Sequence, residues 1–270
     1  MPNRRSPALL SAFMLAAALI GCAAPGASGP TQVAAAEAEE ANNSDPWENT
    51  NRDIFAFNQA VDRNVLVPVA EAYRTVLPDP LRTVVHNFLR NLDGPVIFAN
   101  DVLQAQPKLA TDTFLRFLVN TTLGFGGLID LATPSGIRYH SNDLGITLAV
   151  WGLPEGGYLV LPVLGPSSPR DTAGKVGDGF ADPANIVAGN HHLFYATVAR
   201  AGTDGIDERS RNIETLADIE KTSLDFYATI RSLYRQRRAA QIRHEQTNLP
   251  NVTPLGGGDS PPAMTYTFTK

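Results

Sequence analysis

The chain has 270 residues, of which 18% are charged and 43% apolar; an ordinary domain is about 25% charged. A net charge of −5 removes the basic face a nucleic-acid partner requires, and the single cysteine excludes both a disulfide framework and a cysteine-based zinc site. The length leaves room for one or two domains with a sizeable core.

Residues 1–21 carry Arg4 and Arg5, then an uninterrupted apolar and small stretch from Ala8 to Ile20. This is the order of a secretory signal. It ends in Leu19-Ile20-Gly21-Cys22, which looks like a bacterial lipobox and makes Cys22 the expected lipidation site; the competing reading is an Ala-rich signal cleaved elsewhere. Ala23, the residue after the cysteine, resembles the pattern sent to the outer membrane. Residues 22–44 hold no aromatic side chain and read as a flexible tether spanning about 25 Å. Loss of the two leader arginines leaves an acidic remainder, which anionic lipid does not attract, so attachment must come from acyl chains and apolar surface.

From 45 to 246 helical punctuation recurs and strand alternation is nearly absent, which predicts an all-α domain with little or no sheet. Asp45-Pro46-Trp47-Glu48 combines an N-cap, a first-turn proline and a capping-box acid. Trp47, Ile54, Phe57 and Val61 then form one apolar stripe. Asp79-Pro80 opens a second helix that Gly94 and Pro95 are expected to stop. Pro68, Pro107 and Pro183 mark further starts, and Ser168-Pro169-Arg170-Asp171 is another capping box. Gly157 to Leu161 is the one segment that reads as extended or helical alike, and no sheet is built on it. Ile206 to Gln246 is charged and periodic and predicts two helices, with Ile213, Leu216, Ile219, Tyr227, Ile230 and Tyr234 inward. Residues 247–270, rich in Gly, Pro and Thr, are an expected disordered tail.

The apolar runs Phe117–Ile129, Leu144–Pro154 and Gly156–Pro169 fall short of the ~18 residues a transmembrane helix needs. Such lengths suit core helices, or segments seated in one leaflet. Gly124, Gly126 and Gly127 favour close backbone approach over helix continuity. No nucleophile elbow, phosphate loop or zinc-protease motif is present. Tyr139-His140 with Asp143 could supply a base and its orienting acid, but no nucleophile stands near them in a recognisable setting.

Four stretches together resemble the MlaA/VacJ family of outer-membrane lipoproteins. They are Asp45-Pro46-Trp47-Glu48 through Asn51-Arg52 to Phe57-Asn58; Asn120 to Asp130 with its Gly124-Phe125-Gly126-Gly127; Tyr158-Leu159-Val160-Leu161-Pro162 through Gly165-Pro166-Ser167 to Arg170-Asp171; and Tyr227 through Arg231 and Tyr234 to Arg238. Gly156-Gly157-Tyr158 departs from the family's usual Gly-Pro-Tyr, and Gly152-Leu153-Pro154 holds less glycine than expected. The resemblance implies helices arranged in a ring around a central amphipathic channel, seated in the inner leaflet of the Gram-negative outer membrane. The implied partners are phospholipid, a trimeric outer-membrane porin and a soluble periplasmic lipid carrier, and no cofactor or catalysis is implied. The alternative is a lipid-anchored scaffold that binds porin or envelope partners without moving lipid.

Candidate phospholipid contacts follow. Arg200 closes the apolar stretch Leu193–Ala199, where a guanidinium would bind phosphate bidentately or serve as a helix C-terminal cation before Gly202. Arg116, among Phe114, Leu115, Phe117 and Leu118, must pair, snorkel or face water; Asp130 pairs with it or caps the next turn. Asn58 and Gly152 enter through the family motifs as channel candidates.

Overall fold

The computed structural model describes residues 45–244; Cys22, the leader, the tether and the stretch from 247 onward lie outside the described residues. Helix α1 (Glu48–Val61) runs through a π-helical segment, Asp62–Leu66, into α2 (Val67–Val76). After these come α3 (Asp79–Leu103), α4 (Pro107–Thr122), α5 (Leu144–Val150), strands β1 (Leu159–Leu161) and β2 (Gly165–Ser167), α6 (Pro169–Ala181) and α7 (Pro183–Asn190). The series ends with α8 (Phe194–Arg211), α9 (Ile213–Thr222) and α10 (Phe226–Ile242).

Where local chemistry decides, the expected punctuation operates. Ser168 accepts a hydrogen bond from Asp171 N–H to cap α6, Asp182 caps α7 from Ala184 N–H, Asp143 caps α5 and Asp225 caps α10. Proline occupies the first turn of α4, α6 and α7.

Elsewhere tertiary contacts override it. Asp45 is not a cap: α1 starts at Glu48 without a side-chain cap, and the buried Asp45 carboxylate instead accepts from Asn51, Tyr227 and Arg231. Pro68 stands in the first turn of α2 as expected, although the π segment joins α1 to α2 without a break. Gly94 and Pro95 do not stop α3. The helix continues to Leu103 although proline removes one backbone hydrogen bond at a cost of ~3 kcal/mol. Close packing of α3 on α4 offsets this, since a Cβ on Gly94 would sit 3.0 Å from the Phe117 ring. On α1 the inward face is Asn51, Ile54, Phe55 and Asn58, while Phe57 is exposed. The stretch from Ile206 holds the two expected helices, α9 and α10, and begins with the last turns of α8. Tyr227, Ile230 and Tyr234 are buried as expected.

Among the described residues one small antiparallel hairpin interrupts the helical pattern. Leu159 pairs with Ser167, Val160 with Pro166 and Leu161 with Gly165. Its free edge is satisfied from α1: Asn51 accepts from Val160 N–H at 2.9 Å and donates to Tyr158 C=O at 3.0 Å. Under the hairpin lies the main apolar cluster, Tyr158, Val160, Tyr227, Ile230 and Tyr234, with Ile54 and Phe55 of α1 against it. The Tyr158 ring meets Tyr227 and Tyr234 edge-on, both at 6.0 Å.

Helices α3, α5, α6, α7 and α8 contact one another in a closed circuit, and α10 packs against α5. The helical, ring-like arrangement expected from the sequence is present. Its polarity is inverted relative to a water-soluble bundle. Buried positions are dominated by Asn, Asp, Arg, Ser and Thr, while large apolar side chains cover the outside. Phe180 and Phe194 are 80% and 77% exposed, and Phe114, Leu123, Phe125, Val187 and Tyr195 also face outward. An apolar surface of this extent marks contact with a membrane or partner. No helix among the described residues is long and apolar enough to cross a bilayer.

Candidate functional site

The helical circuit surrounds a cavity of about 320 Å³. Each wall is a helix stripe. On α6, Asp171, Lys175 and Asp178 recur at spacings of four and three; on α8, Thr197, Arg200, Ala201 and Asp204 follow at three, one and three; α3 adds Leu89, Asp93, Val96 and Ile97. Apolar and charged side chains therefore share one lining.

Two ion networks hold the walls. Arg238 of α10 grips Asp143 bidentately at 2.6 and 2.7 Å and reaches Asp171 at 2.8 Å, while Tyr234 donates to the same Asp171. Burial pushes the Asp143 carboxyl upward, but the Arg238 charge and hydrogen bonds outweigh this and hold it below the ordinary value. Across the cavity Arg200 donates to Asp182 and, at 2.7 Å, to Asp93, tying α8 to α3 and to the cap of α7. Burial wins at Asp93, whose carboxyl stands above its ordinary value despite Arg200. Asp178 accepts from Leu144 N–H at 2.8 Å and from Asn100 at 3.0 Å, yet burial pushes it up to about 6.

The candidates separate in space. Arg200 lines the central cavity, in the body of α8 and not at a helix end before Gly202. Both its terminal nitrogens are occupied by carboxylates, so its first role is to hold the wall. Arg116 and Asp130 pair at 2.5 Å, with Arg116 also donating to Thr133 and to Ile137 C=O, both at 2.8 Å. They line a separate pocket of about 20 Å³ and fasten the 123–139 loop onto α4. Burial raises the Asp130 carboxyl, but hydrogen bonds from Thr133 and Arg116 prevail and hold it at about 2. The Gly-rich part of that loop is tight as expected: a Cβ at Gly124 would lie 2.2 Å from Ile129 O, and Gly127 has φ +95°.

Asn58 donates to Leu161 C=O at 2.9 Å and accepts from Val163 N–H at 2.7 Å, so it clasps the turn of the hairpin. Gly152 has φ +89° with open space where a Cβ would stand, and it ends the turn after α5. Neither lines the central cavity. His140 is not oriented by Asp143: its Nε2 lies 2.9 Å from the buried Asp101, while Asp143 is committed to Arg238. Sequence reasoning passed over Asp93, Asp178, Lys175 and Asp204. For Lys175 and Asp178 the available signal was a polar stripe at helical spacing within the small-residue helix from Arg170 to Gly179.

Helices closed around a charged cavity, with aromatic and aliphatic side chains turned outward, define an amphipathic helical protein built for an apolar surrounding. The family model of the MlaA lipoprotein matches residues 43–241, and the chain belongs to that family. The intermembrane phospholipid transport system lipoprotein MlaA of Escherichia coli (strain K12) is 32% identical over 233 residues, covering 84% of this chain and 86% of its own. The protein of the same name from Haemophilus influenzae is 32% identical over 241 residues, covering 86% and 89%. A solved structure described as "Structural basis for maintenance of bacterial outer membrane lipid asymmetry" is similar with a TM-score of 0.67 and 31% identity, over 74% of this chain and 99% of that one.

Proposed function

We propose that this chain is a lipoprotein of the Gram-negative outer membrane that removes stray phospholipid from the outer leaflet through its helix-ringed cavity, as part of intermembrane phospholipid transport. In this reading Cys22 carries the acyl anchor. A trimeric porin holds the domain in the inner leaflet, and a soluble periplasmic carrier receives the lipid. No chemical step is involved. The observation that carries the reading is the inversion of polarity, with exposed Phe180, Phe194, Phe125 and Leu123 outside and a charged lining inside.

Energetics set the requirement. Drawing two acyl chains of about sixteen carbons through water costs ~0.8 kcal/mol per methylene, on the order of 25 kcal/mol. A path that keeps tails against apolar side chains while polar groups meet the headgroup removes most of that barrier without a cofactor. Leu89, Val96 and Ile97 beside the charged stripes of α6 and α8 supply both kinds of surface. A cavity of about 320 Å³ has room for a headgroup.

The test is extraction of the full-length, processed protein from outer membranes in mild detergent. Phospholipid and porin are expected to accompany it, and a salt wash is expected to release none. Release of a lipid-free monomer by salt contradicts the reading, and recovery of porin without phospholipid favours the scaffold.

A further inference from the structure

Two side chains of opposite charge line the central cavity without hydrogen-bond or ion-pair partners among the described residues. The cavity's six aspartates face four cationic side chains, an excess of acid. Arg238 takes Asp143 and Asp171, and Arg200 takes Asp93 and Asp182. Asp178 is satisfied by Leu144 N–H and Asn100. Arg237, the fourth cation, is also partnered, which leaves Asp204 on α8 and Lys175 on α6. Unpaired charges at partly buried positions are costly, and are kept where a ligand completes them.

We propose that the cavity is a two-point receptor for a zwitterionic phospholipid headgroup bearing a primary ammonium, with Lys175 taking the phosphate and Asp204 the ammonium. This rests on the conduit reading above and adds its substrate class. Phosphatidylethanolamine carries a charge complementary to each group. A net-anionic headgroup such as phosphatidylglycerol satisfies only Lys175 and brings further negative charge into an acidic cavity. Discrimination therefore comes from Asp204 and from the acid excess, while Lys175 serves both lipids.

The titration behaviour of the two groups accords with missing counter-charges. Burial, with Asp93, Glu208 and Asp207 nearby, pushes the Asp204 carboxyl up to about 7, against a smaller pull from Arg200. Burial and the Arg238 guanidinium lower the Lys175 ammonium, and Asp143 and Asp171 compensate only in part. An incoming ammonium relieves the first and an incoming phosphate the second.

The test titrates the processed protein, in neutral detergent at low salt and about pH 8 so that Asp204 is ionised, with tail-labelled phosphatidylethanolamine and phosphatidylglycerol of identical chains. The wild type is expected to prefer phosphatidylethanolamine about tenfold. Asp204→Asn is expected to erase that preference by weakening phosphatidylethanolamine alone, and Lys175→Gln to weaken both lipids alike. Asp204→Glu is expected to keep the preference, which separates loss of charge from loss of fold. Equal binding of the two lipids by the wild type, or a preference that survives Asp204→Asn, overturns the inference and leaves the conduit standing. Binding of neither lipid overturns the conduit reading and the inference with it. Should Asp204→Asn fail to fold, the wild-type comparison decides alone.

Discussion

Gly174→Ala is expected to lower the thermal midpoint by about 6–12 °C, a loss of about 3 kcal/mol, read by circular dichroism in detergent. A Cβ at this position would stand 2.3 Å from Gly145 N and 2.6 Å from Gly145 Cα. Those are backbone atoms, so no rotamer change relieves the clash, and α5 and α6 must move apart. Gly145 is itself closely surrounded, since a Cβ there would lie 2.4 Å from the Arg238 guanidinium. The crossing holds Asp143 and Asp171 where Arg238 spans them, so separation also breaks the network that closes one wall of the cavity. Gly179→Ala, later on the same helix, is the control. Nothing lies within 4 Å of its Cβ. It is expected to be neutral or to stabilise by up to about 1 kcal/mol, because alanine is the better helix former.

Arg200→Glu is expected to reduce clearance of surface phospholipid at least about tenfold while porin association persists. The readout is amine-reactive labelling of outer-leaflet phospholipid on intact cells, with porin co-purification measured in parallel. The reversal sets a fourth carboxylate beside Asp93, Asp182 and Asp204 and removes the guanidinium that joins the first two. Like charges at such distances cost several kcal/mol, and both the wall and the lining potential change. Arg200→Lys, which keeps the charge but loses the two-armed grip, is expected to retain partial clearance. Undiminished clearance in Arg200→Glu would move the account toward an anchored scaffold.

The parts of the fold legible in the sequence are those decided within a few residues. Ser168-Pro169 and Asp182-Pro183 start helices because cap and proline act on their own first turn. The misread parts depend on distant partners. Whether Gly94-Pro95 ends a helix turns on Phe117 lying across it, and the hairpin stands because Asn51 and Asn58, over a hundred residues away, satisfy its backbone. Asp45 looked like a cap and is instead the buried acceptor for α10, which no local rule foresees. The same division governs the site. Arg200 was visible because it interrupts an apolar stretch, whereas Lys175 and Asp204 sit among small and polar neighbours and gain meaning only once α6 and α8 enclose one cavity. Asn58 belongs to a family motif for a reason of architecture: it holds the hairpin turn, where Val163 takes φ +65°.

The central claim is that phospholipid passes through the cavity and not merely along the apolar exterior. Photocrosslinking in living cells tests this most directly, with a benzophenone amino acid at position 197 or 96 in the lining and at 180 or 194 on the outer surface. Phospholipid adducts are expected at 197 and 96, lost in Arg200→Glu there and kept at the outer positions. Adducts at 180 and 194 with none at 197 or 96 would contradict it.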